Sequence, residues 1–171
     1  DVRKICTARC DSSRKLESSP MKIVTLAEAQ HLVGQDLGVS EWTLIDQKMI
    51  DAFADVTGDR QFIHVDPDLA MQTPFGGTIA HGFLTLSLIA SMMPENALVL
   101  DGIKMGVNYG FEKVRFLQPV KSGKRVRARH KLLAVEDKGH GRNLTRTEVT
   151  IEIEGEEKPA LIAEWLGMQF C

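Results

Sequence analysis

Apolar positions recur at helical spacing in the first half of the chain and alternate with polar ones in the second. Between Asp46 and Gly58, the residues Met49, Ile50, Phe53 and Ala54 form one stripe, while Gln47, Lys48, Asp51 and Asp55 fall opposite. An amphipathic helix requires that spacing. Asp46 suits its N-cap and Gly58 its left-handed end. Residues 79–93 are apolar or small on nearly every side, which predicts a long, fully buried central helix that stops before Pro94. Past Gly106 the period becomes two. Residues 107–117, 125–135, 144–154 and 160–170 read as strands, with Val149, Ile151 and Ile153 alternating with Thr150, Glu152 and Glu154. Gly139-His140-Gly141 and Gly155-Glu156-Glu157 supply turn chemistry between consecutive strands, so the sheet is expected to be mostly antiparallel.

Shorter signals fill the N-terminal half. Thr25-Leu26-Ala27-Glu28 is a capping-box pattern that opens a short helix through His31-Leu32-Val33, with Gly34 just past its end. Ser40-Glu41-Trp42-Thr43-Leu44-Ile45 has the content of a strand. Asp66-Pro67-Asp68 places an N-cap, a first-turn proline and an acid at the start of another helix. These elements predict an α+β fold, an antiparallel sheet wrapped around one long apolar helix, which is the outline of a hot-dog domain.

Composition bounds the function. A chain of 171 residues, 43% hydrophobic and 26% charged, builds one core and leaves little for a second domain. The irregular residues 1–20 read as an appended or leader-type extension without the apolar stretch of a secretory signal. The single domain is then 21–171. A net charge of −2 argues against nucleic acid as a partner and favours a small molecule. The longest apolar run is too short and too polar to span a bilayer, so no membrane partner is expected. Three cysteines, Cys6, Cys10 and Cys171, are too few and too scattered for a disulfide framework, which fits a reducing cytoplasm. No second Cys/His pair stands at zinc-type spacing, so no metal is expected.

The candidate chemistry lies in Gly58-Asp59-Arg60-Gln61-Phe62-Ile63-His64. Asp59 and His64 are five positions apart and would point to different faces of a regular helix. They meet only if the segment turns back, and Gly58 permits that. The negative helix end before Asp59, with Phe62 and Ile63 beside it, is expected to raise the proton affinity of this carboxylate. A carboxylate so tuned serves as a general base, and His64 supplies a proton or orients the same water. The pair suits addition of water to an activated double bond. An enolate oxygen would then need donors, and the first turn of the central helix around His81-Gly82 offers the Gly82 N–H. Taken singly, these residues are ordinary turn and cap residues; their combination carries the reading.

The segments Phe53-Ala54-Asp55-Val56-Thr57-Gly58-Asp59, Ile63-His64-Val65-Asp66-Pro67 and Phe75-Gly76-Gly77-Thr78-Ile79-Ala80-His81-Gly82 resemble the MaoC-like (R)-specific enoyl-CoA hydratases, from Met21 to the end. That resemblance implies a hot-dog fold, usually a homodimer, interconverting trans-2-enoyl-CoA and (3R)-hydroxyacyl-CoA. No metal or redox cofactor is implied, coenzyme A being part of the acyl-CoA thioester substrate. It gives Asp59 and His64 as the catalytic dyad and Gly82 as the oxyanion amide. Gln61, Phe62, Gly77 and His81 are expected on the substrate side, His81 as a structural hydrogen-bonding residue in preference to a second acid. Many members of the family carry Asn-Pro where this chain has Gln61-Phe62, and Gln61 is expected to take over the loop-holding role of that Asn. A Gln followed by an aromatic resembles a single-domain bacterial subgroup, nodulation-protein-N-like, whose substrates are open. Two alternatives stand beside the hydratase: a hot-dog acyl-CoA thioesterase and a non-catalytic acyl-CoA-binding domain. The basic stretch Lys121, Lys124, Arg125, Arg127, Arg129 and Lys131 reads equally as a contact for coenzyme A phosphates or as a solvated strand face. Asn108-Tyr109-Gly110 is a lesser candidate for substrate contact.

Overall fold

The computed structural model describes residues 22–94 and 96–171; the expected extension over 1–20, with Cys6 and Cys10, lies outside the described residues. In chain order the elements are β1 (Lys22–Val24), α1 (Leu26–His31), β2 (Asp36–Val39), β3 (Thr43–Ile45), α2 (Gln47–Thr57), α3 (Phe62–Val65), α4 (Pro67–Met71) and α5 (Gly82–Ser87). A 3-10 turn, Leu88–Ala90, continues α5, and β4 (Leu98–Leu100), β5 (Met105–Phe116), β6 (Lys124–Asp137), β7 (Arg142–Ile153) and β8 (Leu161–Phe170) follow.

The main sheet has six strands in the order β2-β6-β7-β8-β5, with β3 pairing β6 beside β2. Every pairing in it is antiparallel, as the turn signals required. Alternation fixes which face is covered. Along β6, Val126, Ala128, His130 and Leu132 are buried, while Arg125, Arg127 and Arg129 project from the other face. Val149, Ile151 and Ile153 of β7 and Leu161 and Ala163 of β8 complete the covered side. Leu84, Ile89 and Met92 from α5 and the turn after it, with Ile50 from α2, lie against them. Each such fully buried aliphatic side chain stabilises the fold by about 1.5–3 kcal/mol. A smaller cluster of Val24, Ala29, Leu37, Leu100, Leu132 and Val135 seals the far end. The parallel pair β1 and β4 belongs to that end; three-residue strands carry too little periodicity to be seen in sequence.

The central helix is shorter than the apolar run 79–93 predicts. Ile79 bridges Lys121 and the Ala80 N–H donates to the Val120 carbonyl at 2.8 Å. Residues tied to an extended neighbour cannot take helical angles, so α5 opens only at Gly82. Nor is it fully buried in the single chain: Phe83 is 68% exposed, and Gly82, Ser87 and Ala90 also face outward. One helix face covers the sheet and the opposite face is uncovered. The outer strand β5 is likewise exposed along nearly its whole length. Among the described residues no helix is long and apolar enough to cross a membrane.

Candidate active site

Three local devices set the positions of Asp59 and His64. Asp46 caps α2 by accepting from the Met49 N–H, and Gly58 ends the helix in the left-handed conformation, φ +79°. That angle suits a residue without Cβ and turns the chain at Asp59. The segment then folds back as the one-turn helix α3, which the sequence reading missed; His64 lies within it, just ahead of the start of α4. Asp66 caps α4 by accepting from Leu69 N–H.

The turn brings a carboxylate oxygen of Asp59 and ring nitrogens of His64 and His81 within 4.8 Å of one another. His64 is buried and its Nδ1 donates to the Ile79 carbonyl at 2.7 Å. A carbonyl only accepts, so the proton of the neutral ring is on Nδ1 and Nε2 carries a free lone pair. His81 Nε2 donates to the backbone carbonyl of Asp59 at 2.9 Å. The two imidazoles stack, with centroids 3.8 Å apart and planes 27° from parallel. One nitrogen of each ring is occupied by a carbonyl. Among the described residues Asp59, His64 and His81 are the group whose ligand atoms lie close enough together to hold a metal ion.

His64 and Gly82 line one cavity of about 440 Å³ together with Phe83, Thr85, Phe116 and Val120. No side chain caps α5 at His81, so its first N–H groups are available to a ligand. A Cβ at Gly82 would lie 3.0 Å from two carbons of the Phe116 ring, which makes glycine the residue that lets the backbone approach this cavity. A second cavity, of about 260 Å³, lies toward the smaller cluster, between Met93, Leu98, Val107, His130 and Trp165. Asn108 lines that cavity, whereas Tyr109 is exposed on β5.

Asp59 is exposed in the single chain, as are Gln61 and Phe62; the apolar surroundings expected of Phe62 are therefore not closed over Asp59. Gln61 stands at the N-cap of α3 but makes no side-chain cap bond. The brace expected of it is supplied instead by Gln47, which sequence reasoning had placed among solvent-facing residues. The Gln47 amide donates to the His64 carbonyl at 2.7 Å and to Asp51 at 2.8 Å, and its oxygen accepts from the Thr78 hydroxyl at 2.6 Å. These bonds tie α2 to α3 and to the strand-like segment before α5. Gly77, φ +146°, lies in the turn just ahead of Thr78.

The basic stretch resolves toward the solvated face. Arg125 pairs with Glu154, Arg127 with Glu152, and Arg129 with both Glu152 and Asp36. Burial pushes the Glu152 carboxyl up, but the hydrogen bonds from Arg129 and Arg127 outweigh it and hold the group below the usual range. Arg127 also lies over the Trp42 ring at 4.6 Å.

The MaoC like domain profile matches residues 28–155. Nodulation protein N of Rhizobium leguminosarum bv. viciae is 50% identical over 147 residues, 85% of this chain and 91% of that protein. The 3-hydroxyacyl-thioester dehydratase Z of Mycobacterium tuberculosis is 46% identical over 140 residues, covering 82% and 92%. Among solved structures, the R-hydratase PhaJ1 of Pseudomonas aeruginosa superposes with a TM-score of 0.60 at 28% identity, over 80% of this chain and 81% of that one. The family match runs from α1 to the end of β7 and so spans the segment that holds Asp59, His64 and His81, and the chain belongs to the family of MaoC-like dehydratases.

Proposed function

We propose that this protein hydrates trans-2-enoyl thioesters of coenzyme A to (3R)-hydroxyacyl thioesters, and runs the reverse dehydration. The carrying observation is that Asp59 lies beside His64, and that His64 and Gly82 line one cavity. Water between the Asp59 carboxylate and His64 Nε2 would have both its O–H bonds held by acceptors, leaving a lone pair for the β-carbon. As the O–C bond forms, the carboxylate takes one water proton and the π electrons move toward the thioester carbonyl. The resulting enolate oxygen is met by the Gly82 N–H. The proton then passes from Asp59 to the α-carbon, which completes the addition. Relatives named as a dehydratase of 3-hydroxyacyl thioesters and as an R-hydratase support this reaction.

The test is loss of the conjugated enoyl absorbance when crotonyl-CoA and longer 2-enoyl-CoA substrates are added, with chiral analysis of the product. Asp59→Asn should lower kcat by about 10²–10⁴-fold, the usual contribution of general acid–base catalysis. Release of free thiol would indicate a thioesterase. Tight binding without turnover, unaffected by Asp59→Asn, would indicate a silent binding domain. Either result overturns the hydratase. The proposed addition of water uses no metal ion, so a chelator should leave the rate unchanged. The uncovered face of α5 and the exposed apolar edge of β5 support a homodimer in which two such faces meet.

A further inference from the structure

We propose that His81 is the positioning residue of this site: it fixes Asp59 and His64 relative to each other without touching the substrate. The inference rests on the hydratase reading and adds a role that the dyad and the oxyanion amide leave unassigned. Among the described residues three hydrogen bonds involve Asp59. Its N–H reaches the Thr57 hydroxyl at 3.4 Å, its carboxylate accepts from Gln61 N–H at 3.5 Å, and its carbonyl accepts from His81 Nε2 at 2.9 Å. The first two are at the limit of hydrogen-bonding distance. An exposed carboxylate so loosely held takes its place from its own backbone, and that backbone is pinned by His81.

The same ring bounds His64. The His64 edge is tied to the Ile79 carbonyl, and its face rests on His81 at 3.8 Å. Phe53 of α2 packs against His81 at 5.0 Å, so the ring is held between the helix that carries Asp59 and the ring that completes the dyad. Only 3% of His81 is exposed, and it is His64, not His81, that lines the cavity with Gly82. Its Nδ1 is buried with no hydrogen-bond partner among the described residues. A second N–H there would find no acceptor, so the ring has no route along which to pass a proton. What remains is a single directed donor and a flat face, and both act on the catalytic pair.

Two substitutions separate these parts. Gln places an amide N–H near the position of Nε2 but lacks the ring, whereas Phe keeps a stacking ring and has no donor. With thermal melting measured alongside, His81→Phe should lower kcat about 10- to 100-fold, the scale of an ångström-sized misplacement, with KM within about 2-fold, and His81→Gln should recover kcat to within about 5-fold of wild type. Unchanged kcat in His81→Phe, a rise in KM alone, or a His81→Gln variant as slow as His81→Phe each overturns the proposal. Should His81→Phe fail to fold, His81→Gln decides: kcat near wild type supports the donor role and kcat as low as that of Asp59→Asn overturns it. Long-range ¹H–¹⁵N spectra of the imidazoles give a readout apart from turnover. His81 should be the Nε2–H tautomer and His64 the Nδ1–H tautomer, and the opposite assignment at His81 overturns the proposal even if wild-type protein proves inert toward every enoyl thioester, an outcome that would by itself sink only the hydratase reading.

Discussion

A methyl group at position 82 distinguishes the chemistry of the site from its stability. The added Cβ would meet the Phe116 ring at 3.0 Å, closer than carbon atoms normally approach. Phe116 is half exposed and touches Phe83 only edge-on, so its ring has room to turn outward at a cost of about 1 kcal/mol or less, the scale of a modest rotamer displacement. Gly82 lines the cavity shared with His64, so the new methyl narrows that cavity beside the N–H. Gly82→Ala keeps the N–H but obstructs the approach of the thioester oxygen to it, and should therefore lower kcat/KM by up to roughly 10²-fold, the scale of losing that donor altogether, while thermal melting moves little. A large fall in melting temperature with kcat/KM preserved would show that Gly82 is there for packing.

Among the elements, the bracing of α3 depends on one amide. Replacing Gln47 with the near-isosteric Met would leave the Thr78 hydroxyl and the His64 carbonyl without their present partner. Each buried orphan costs about 1–3 kcal/mol, toward the lower end here because Gln47 is only half buried. Gln47→Met is expected to lower the melting temperature by roughly 2–4 °C per kcal/mol lost in a chain of this size, and to reduce kcat more than it raises KM because His64 loosens. Equal activity and melting in this variant would refute the brace. Local signals made part of this site legible in advance. Asp46, Gly58 and Asp66 act through neighbours within four positions, so the ends of α2 and the start of α4 could be read from residue type. Gln47 was not legible, because the partners it braces, His64 and Thr78, lie 17 and 31 positions away and its spacing marks it only as polar. The stack of His81 on His64 is equally non-local. The start of α5 was misplaced for a related reason: apolar content describes burial, and a bridge to residue 121 decides where the helix begins.

For the whole molecule, two titration windows follow from where charges are buried. Burial pushes the His130 imidazole below its ordinary value of 6.5, although its Nε2–H bond to the Met92 carbonyl and the Asp36 charge act the other way. An unfolded chain takes up this proton as pH falls through 6.5, and the folded chain resists it. The stability due to neutral His130 is therefore complete above about 6.5 and is lost as pH falls from there toward the lower folded value. Asp36 and Glu152, held below their ordinary 3.8 and 4.5, contribute above those values and lose their share only in stronger acid. Melting temperature measured from pH 7.5 to 5 should fall in wild type and fall less in His130→Gln, which keeps a donor for Met92. Identical slopes would remove His130 as the cause.

The sheet itself gives the remaining whole-molecule prediction. β5 pairs β8 on one side and no strand of the described residues on the other, and Met105, Val107, Tyr109 and Phe111 along it are exposed. An open strand edge bearing apolar side chains associates unless it is shielded, and Phe83 continues the uncovered apolar surface from α5. Two copies meeting through this surface would cover both features at once and set their sites near the join, enclosing Asp59 and Phe62 more than the single chain does. Sedimentation should then report twice the chain mass of 19.0 kDa. Tyr109 is 62% exposed and lies at an irregularity of the β5 and β8 register, so Tyr109→Lys spares the core of the chain. That variant should shift the equilibrium toward single chains and reduce turnover per chain in the same concentration range. A wild-type monomer that turns over enoyl thioesters fully would show that one chain closes its own site.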